Sequence, residues 1–340
     1  MRRILLMSNK RLNGYLDGVY TLQAPLSHIG ESHGPDSYLA TQDIIGSDGV
    51  PVEVFVYSGN AIRGMFRDCG SKYFLDKLGS GAILQIPLQM FYFLFSGGSI
   101  GGEQTIDIDQ ARRIRQLLPL ASIFGGGIGN QILPGKMCVN DAYPIAEECR
   151  HLIPTEYIHG NLISWRQMTT ERSYTRTDDA KDERKRVYLL DESIKELESG
   201  QMQMLPGETE DKKKKEKDQP IQMRYTVEVL AAGSRLYHRI DVRDMTEVEF
   251  GALVSCIVEW SKSPYIGGKA NIGMGRAKLE YYWHPIEGGE EKFIETGDIP
   301  YLGTTAKEVK ARYDEYLDKY TQYLQEHKES LVKMLEASKS

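Results

Sequence analysis

A run of β-forming residues marks the first element of the chain. Over Gly14 to Ile29 the β-formers Tyr15, Val19, Thr21 and Leu22 lead to Pro25 and then His28-Ile29-Gly30, which predicts a strand running into a loop. Residues 30–48 read as that loop, polar and turn-rich, before Val52, Val54 and Val56 alternate. Ser58 or Asn60 then caps a predicted helix from Ala61 to about Leu78, whose apolar face is Ile62, Phe66, Tyr73, Phe74 and Leu78 and which Gly79 stops. The apolar run Ile83 to Phe95 is broken by Gln85, Pro87 and Gln89 and reads as a buried segment. Glycine-rich loops are expected at 96–102 and from Ile123-Phe124-Gly125 to Pro134-Gly135-Lys136, with a helix over 107–118 between them and a short strand, Met137 to Ala142, after them.

Further along, Met223 to Ala232 alternates with Tyr225, Val227 and Val229 on one face. A helix from Thr246 to Ser261 turns Val248, Leu253, Cys256, Ile257 and Trp260 inward, and a strand from Ala277 to Trp283 follows. Thr305 to Ala337 predicts a long amphipathic helix with the stripe Val309, Tyr313, Tyr316, Tyr320, Leu324, Leu331 and Leu335. That stripe suits packing within the chain or against a neighbouring subunit. Strand, helix, long insertion, strand, helix, strand is the order of a split β-α-β unit, so the expected fold is α+β, of the ferredoxin-like kind that RNA-recognition modules use.

Composition narrows the function classes. Apolar residues make up 41% of the 340 positions and charged residues 26%, as in a soluble globular protein. A net charge of -6 argues against a generally basic nucleic-acid coat but is compatible with a local basic groove. Cys69, Cys138, Cys149 and Cys256 are scattered without a CxxC pair, so neither a metal site nor a disulfide framework is expected, and a reducing cytoplasm is the simplest setting. The apolar patch Ile4 to Met7 is too short for a signal peptide or a membrane span, and no membrane partner is expected.

The densest chemistry lies in Gly267-Gly268-Lys269-Ala270-Asn271-Ile272-Gly273-Met274-Gly275-Arg276. Glycines in such a turn can expose successive N–H groups as an anion-binding concavity. Lys269 precedes Gly273 and Gly275, which is the wrong order for a Walker loop. A helix before and a strand after is the wrong context for a dinucleotide fingerprint, and no cofactor is expected. A loop packed against another backbone, or against nucleic acid, remains. The segment Ser58 to Asp68 places Arg63 and Arg67 one turn apart at a helix N-terminus. They are either ordinary surface arginines paired with Asp68 or a nearby acid, or a grip on successive phosphates. His28, His33 and His159 have no second ligand spaced with them, and Lys212 to Lys215 would give nonspecific attraction to phosphate.

Pro25-Leu26-Ser27-His28-Ile29-Gly30, Ser58-Gly59-Asn60-Ala61-Ile62-Arg63-Gly64, Ile123-Phe124-Gly125 with Pro134-Gly135-Lys136-Met137 and Asp141-Ala142-Tyr143, and Ile266 to Arg276 occur in that order. In this order the chain resembles the RAMP superfamily of CRISPR proteins, and within it the repeated backbone subunit of type IV-like or type III-like effector complexes. The resemblance spans about residues 13–284. It implies a ferredoxin-like palm (1–156 and 223–284), a β-hairpin thumb in a charged insertion (157–222), and a C-terminal extension (285–340). The implied partners are guide crRNA, copies of the chain itself in a helical filament, other effector subunits, and target DNA or RNA reached through the guide. Carried onto this sequence, Ser58, Asn60, Arg63 and Arg67 would meet guide phosphates, with Gly267, Gly268, Lys269, Gly273, Gly275 and Arg276 lining the same groove. Arg172, Arg176, Arg184, Lys185 and Arg186 would act from the thumb, with Tyr174 as a stacking aromatic. Such a subunit holds the RNA backbone while base pairing of the guide reads sequence. His28 would be a structural histidine at the strand end. Type III relatives cleave target RNA with an aspartate in the loop after the first strand. Of Asp36, Asp43 and Asp48, Asp43 has the best distance, fifteen residues before Ser58, but its Asp43-Ile44-Ile45 surroundings depart from the family pattern. The leading expectation is a noncatalytic subunit, the alternative a metal-dependent ribonuclease using Asp43.

Overall fold

A computed structural model of the chain describes residues 10–100, 108–128, 131–177 and 222–326. In chain order its elements begin with β1 (Arg11–Leu22), β2 (Ile29–His33), β3 (Asp36–Leu39), β4 (Thr41–Ile45) and β5 (Pro51–Phe55). Then come α1 (Gly59–Leu78), α2 (Leu88–Ser96), β6 (Ser99–Ile100), α3 (Ile108–Leu117), α4 (Pro119–Phe124), β7 (Gly126–Ile128), β8 (Gln131–Leu133), β9 (Met137–Val139) and β10 (Tyr143–Pro144). The described part closes with β11 (Thr169–Thr177), β12 (Gln222–Leu230), β13 (Arg235–Thr246), α5 (Glu247–Ser261), β14 (Ala277–Pro285), β15 (Glu291–Glu295), β16 (Tyr301–Leu302) and α6 (Thr304–Glu326).

The main sheet runs β10-β13-β1-β14-β15-β16, with β9 also paired to β13, and every pair in it is antiparallel. With α1 between β1 and β9 and α5 between β13 and β14, this is the ferredoxin-like order, and the fold is α+β as expected. Leu16 and Tyr20 of β1, Leu236 and Ile240 of β13, and Leu279, Tyr281 and Trp283 of β14 form the buried row under α1 and α5. Gly18 faces His238 on one side and Tyr281 on the other. Its missing side chain lets the His238 ring accept a hydrogen bond from the Tyr281 hydroxyl across β1, while His238 Nε2 donates to the Asn140 carbonyl at 3.0 Å. Burial lowers the imidazole to about 3, against a smaller opposing effect of the Asn140 bond, so the ring is neutral.

Several expectations need correcting. The third palm strand is β13, not Met223 to Ala232. The inward row of β13 includes His238 and its outward row is Tyr237, Arg239 and Asp241, so the alternation is obscured by polarity. β12 instead pairs antiparallel with β11 over nine residues and parallel with β3, in a second sheet ordered β11-β12-β3-β2. The predicted loop 30–48 holds three short strands, and β1 runs from Arg11 to Leu22, stopping three residues before Pro25. In the run Ile83 to Phe95 only one face of α2 is inside, through Met90, Phe93 and Leu94, while Ile83, Leu88, Phe91 and Tyr92 are exposed.

The long helix is present as α6, and the described part of its stripe is buried within the chain. Val309, Tyr313, Tyr316 and Tyr320 are buried, Tyr316 donates to the Leu117 carbonyl at 2.9 Å, and Tyr313 lies parallel to Tyr73 of α1. Leu331 and Leu335 lie outside the described residues. α5 and α6 touch at Gly251, where a Cβ would sit 2.0 Å from the Val309 carbonyl oxygen. Gly251→Ala is therefore expected to cost about 1–3 kcal/mol in denaturant unfolding. The same change at Gly64, a helical position of α1 with open space around it, should stabilise by about 0.5–1 kcal/mol. Acid should weaken the fold in a second measurable way. The folded His238 binds its proton only near pH 3, whereas the unfolded ring does so at its ordinary 6.5. Stability is then fully present above pH 6.5 and falls as pH drops below it, by up to about 1.4 kcal/mol per pH unit. Unfolding between pH 7.5 and 5 should show that slope, and His238→Gln should flatten it.

Candidate nucleic-acid interface

Three of the four motifs, together with Asp141-Ala142 of the remaining one, meet where β1 ends. After Leu22 the chain passes Gln23 to Ser27, and the glycine loop folds directly onto this segment. Gly275 N–H donates to the Pro25 carbonyl at 2.8 Å and Gly268 N–H to Ser27 at 2.7 Å, while Gln23 N–H reaches back to the Arg276 carbonyl at 2.7 Å. Gly275 has φ +82° and its Cβ would lie 1.9 Å from the Ile266 carbonyl oxygen, so only glycine fits there. Gly267 N–H donates to the Tyr57 hydroxyl at 3.1 Å, which links the loop to the start of α1.

At that start, Ser58 caps the helix by accepting from Asn60 N–H at 3.2 Å, and Asp141 Oδ1 accepts from Gly59 N–H at 2.7 Å. Ser58 N–H in turn donates to His28 Nε2 at 3.4 Å, and the His28 ring stands edge-on to Tyr57. Burial lowers the His28 pKa against a smaller opposing effect of Asp141, consistent with a neutral acceptor ring. Asp141-Ala142 joins the same cluster through a backbone bridge from Ala142 to Tyr57.

Two readings of this cluster change. The bare-amide concavity expected of the glycine loop is filled from inside. The N–H groups of Gly267, Gly268, Ile272, Gly273, Met274 and Gly275 all donate to acceptors of the protein. The helix N-terminus is likewise occupied by Ser58 and Asp141, leaving less of it for a phosphate. Arg63 and Arg67 do lie on one helical face, but they hold carbonyls. Arg67 is buried, donates to Phe124 O at 2.9 Å and Gly125 O at 3.0 Å, and lies over the Phe124 ring; Arg63 also donates to Phe124 O. Burial and the neighbouring Arg63 charge lower Arg67 to about 10, which leaves it cationic at neutral pH. Both arginines thus fix the Ile123-Phe124-Gly125 turn, neither pairing with Asp68 nor, for Arg67, reaching solvent.

The surface beside the glycine loop belongs to the hairpin. Arg172 and Tyr174 alternate along β11 and so share a face, opposite Val227 and Tyr225, and the backbone register continues with Arg176 paired to Met223. Met274 from the loop packs between Val227 and Val229 with Tyr174 against them. Lys269, held at φ +63°, donates from Nζ to the Tyr174 hydroxyl at 2.8 Å and sits over that ring, which also stacks with Tyr225. Arg172, Arg276, Asn60, Gly267, Gly268 and Gly273 are exposed and Gly275 is buried. Arg184, Lys185, Arg186 and the row Lys212 to Lys215 lie outside the described residues. Tyr57 and Met274 were not among the expected site residues. Their signal was position alone, one directly before Ser58 and the other an apolar residue between two loop glycines.

The fold itself has a counterpart among solved structures. No protein-family model and no curated protein matches the sequence. One solved structure that the chain resembles is that of a "Type IV-B CRISPR Complex", at a TM-score of 0.53 and 16% identity, covering 81% of this chain and 93% of the other. The α+β fold is thus shared with a chain of that complex.

Asp43 lies in a strand, not in a loop. It lies exposed in β4 opposite Glu53, whose carboxylate is taken by Thr41 and Arg166. Among the described residues no group of three His, Cys, Asp or Glu side chains could hold a metal ion, and no helix is long and apolar enough to cross a membrane. The two kinds of arginine should separate in stability measurements. Arg67→Gln strips two buried carbonyls of a charged donor and should lower unfolding stability by about 2 kcal/mol, while Arg172→Gln on the open strand should stay within about 0.5 kcal/mol.

Proposed function

We propose that this chain is a noncatalytic subunit of a CRISPR effector complex that holds guide RNA by its backbone and assembles with copies of itself along that guide. The observation that carries this reading is the meeting of residues 23–28, the start of α1, Asp141-Ala142 and the loop 266–276 at one junction beside Arg172 and Tyr174 of β11, in a fold shared with a chain of a type IV-B complex. The RNA would run between the glycine loop and the hairpin. Lys269, Arg172, Arg176 and Arg276 would meet phosphates, and the exposed glycines would let the strand approach the main chain. Ser58, Asn60 and Arg63 would border this path, while Arg67 shapes it from behind. Arg184, Lys185 and Arg186 would extend the basic face from the insertion. Target DNA or RNA would enter by pairing with the guide, and other effector subunits would cap the assembly.

The test is RNA affinity as a function of salt. Lys269→Asn keeps a residue that tolerates positive φ, and combined with Arg172→Gln it should weaken binding of single-stranded RNA at least tenfold. It should also reduce the magnitude of the log–log salt slope by about 0.7 per phosphate contact removed. Unchanged affinity and slope in a folded double variant reject the reading. In the assembled complex, target RNA incubated with divalent metal should remain uncut. Periodic cuts that vanish in Asp43→Ala would replace the noncatalytic reading with the nuclease one.

A further inference from the structure

A second basic feature sits at the opposite end of β1. Its twelve residues at ~3.3 Å each separate the two ends by roughly 35 Å, so this feature is distinct from the glycine-loop junction. Here α3, the start of α4, the approach to β9 and the β13–α5 corner enclose a cavity of about 290 Å³, at the small end of ligand-binding cavities. Arg11, Arg112, Arg115 and Lys136 line it, against the two carboxylates of Asp244 and Glu249. Four positive charges less two negative leave +2.

The existing bonds do not exhaust these cations. Lys136 is committed, with Nζ on both Glu249 oxygens at 3.0 and 2.7 Å, and Glu249 also closes the capping box of α5. Arg11 reaches Asp244 only loosely, at 3.8 Å, and Arg112 meets Asp109 at 3.6 Å on the open surface. Arg115 places one Nη on the Pro134 carbonyl at 2.8 Å, and its buried Nε has no partner. Ser122, fully buried and lining the same cavity, also has a hydroxyl without a partner. A buried hydroxyl and guanidinium N–H left open cost free energy unless something bonds them, and both are donors.

We propose that this cavity binds a small phosphomonoester, with Arg112 and Arg115 gripping the phosphate oxygens, Ser122 donating a third bond, and Lys136 and Arg11 supplying the surrounding positive field. A dianionic phosphate monoester balances the +2 of the lining, and the cavity volume admits a phosphate with a small organic group. The reading is independent of RNA at the other end of the sheet.

Thermal-shift and calorimetric titrations at constant ionic strength test it with inorganic phosphate, ribose 5-phosphate and uncharged ribose. Phosphate and ribose 5-phosphate should give saturable stabilisation and ribose none. Arg112→Gln with Arg115→Gln should weaken binding at least tenfold. Ser122→Ala, which removes a hydroxyl that bonds nothing in the free protein, should weaken it severalfold without lowering the ligand-free melting temperature. An absence of saturable stabilisation by either phosphate compound, an equal response to ribose, or unchanged binding in both variants overturns the proposal. A 5′-hydroxyl RNA oligonucleotide that competes as well as ribose 5-phosphate would also overturn it, by assigning the cavity to phosphodiesters.

Discussion

Everything at the working end of this molecule hangs from the way the chain leaves β1. Residues 23–27 leave the sheet with backbone groups that need partners, and the loop 266–276 supplies them strand-fashion. That pairing is possible only because the main chain turns through positive φ at Gly267 and Gly275, where a side chain would collide with the Ser27 and Ile266 carbonyls. Once the loop is fixed, Met274 is driven into the hairpin, Lys269 is delivered to Tyr174, and the Gly267 amide catches Tyr57 at the threshold of α1. One backbone docking thus sets the relative positions of the palm, the hairpin and the first helix.

A second layer of constraint comes from charge used internally. Arg63 and Arg67 stand where a phosphate grip would be sought, yet their guanidinium groups satisfy the carbonyls of a turn that carries glycine at 125. Asp141 does the same from the other side for the Gly59 amide. Buried polar backbone must be paired, and a charged partner makes the stronger bond. Part of the motif signature therefore marks a scaffold, while the groups left facing outward belong to the hairpin and to the rim of the loop.

The legible and illegible parts of the sequence divide along physical lines. β1, α1, α5, β14 and α6 can be read because each buries one face with regular spacing, and the ferredoxin-like order follows from them. β13 escapes such a reading because its buried row includes His238, a residue that is apolar only in effect, as a neutral ring shared between Tyr281 and Asn140. β2 to β4 escape it because short exposed strands such as Ile29–His33 have no buried face to reveal a period of two. The site motifs can be found by their order, but the burial of Arg67 cannot, since nothing in the run Ala61 to Asp68 says which carbonyls will lie opposite it in the fold.

The main sheet bears on why the proposed interface is placed at a loop and a hairpin. RNA-recognition modules of this topology stack bases on aromatic residues of the open sheet face. In this chain that face is already spent. Tyr15 lies between the Arg239 guanidinium, 3.7 Å from its ring centre, and the stacked ring of His284 at 4.5 Å. Asp17, almost fully buried, accepts from Tyr157 and pairs with His284, each at 2.8 Å, and accepts from Tyr237 at 3.2 Å. Burial together with the Asp17 carboxylate raises the pKa of both phenols, which keeps them as donors. Tyr157 reaches this network from the segment that leads into the hairpin, so the chain that closes the sheet face is the same chain that builds the alternative surface. Closing the one face and presenting the other are two consequences of a single path, residues 145–169, laid across the sheet.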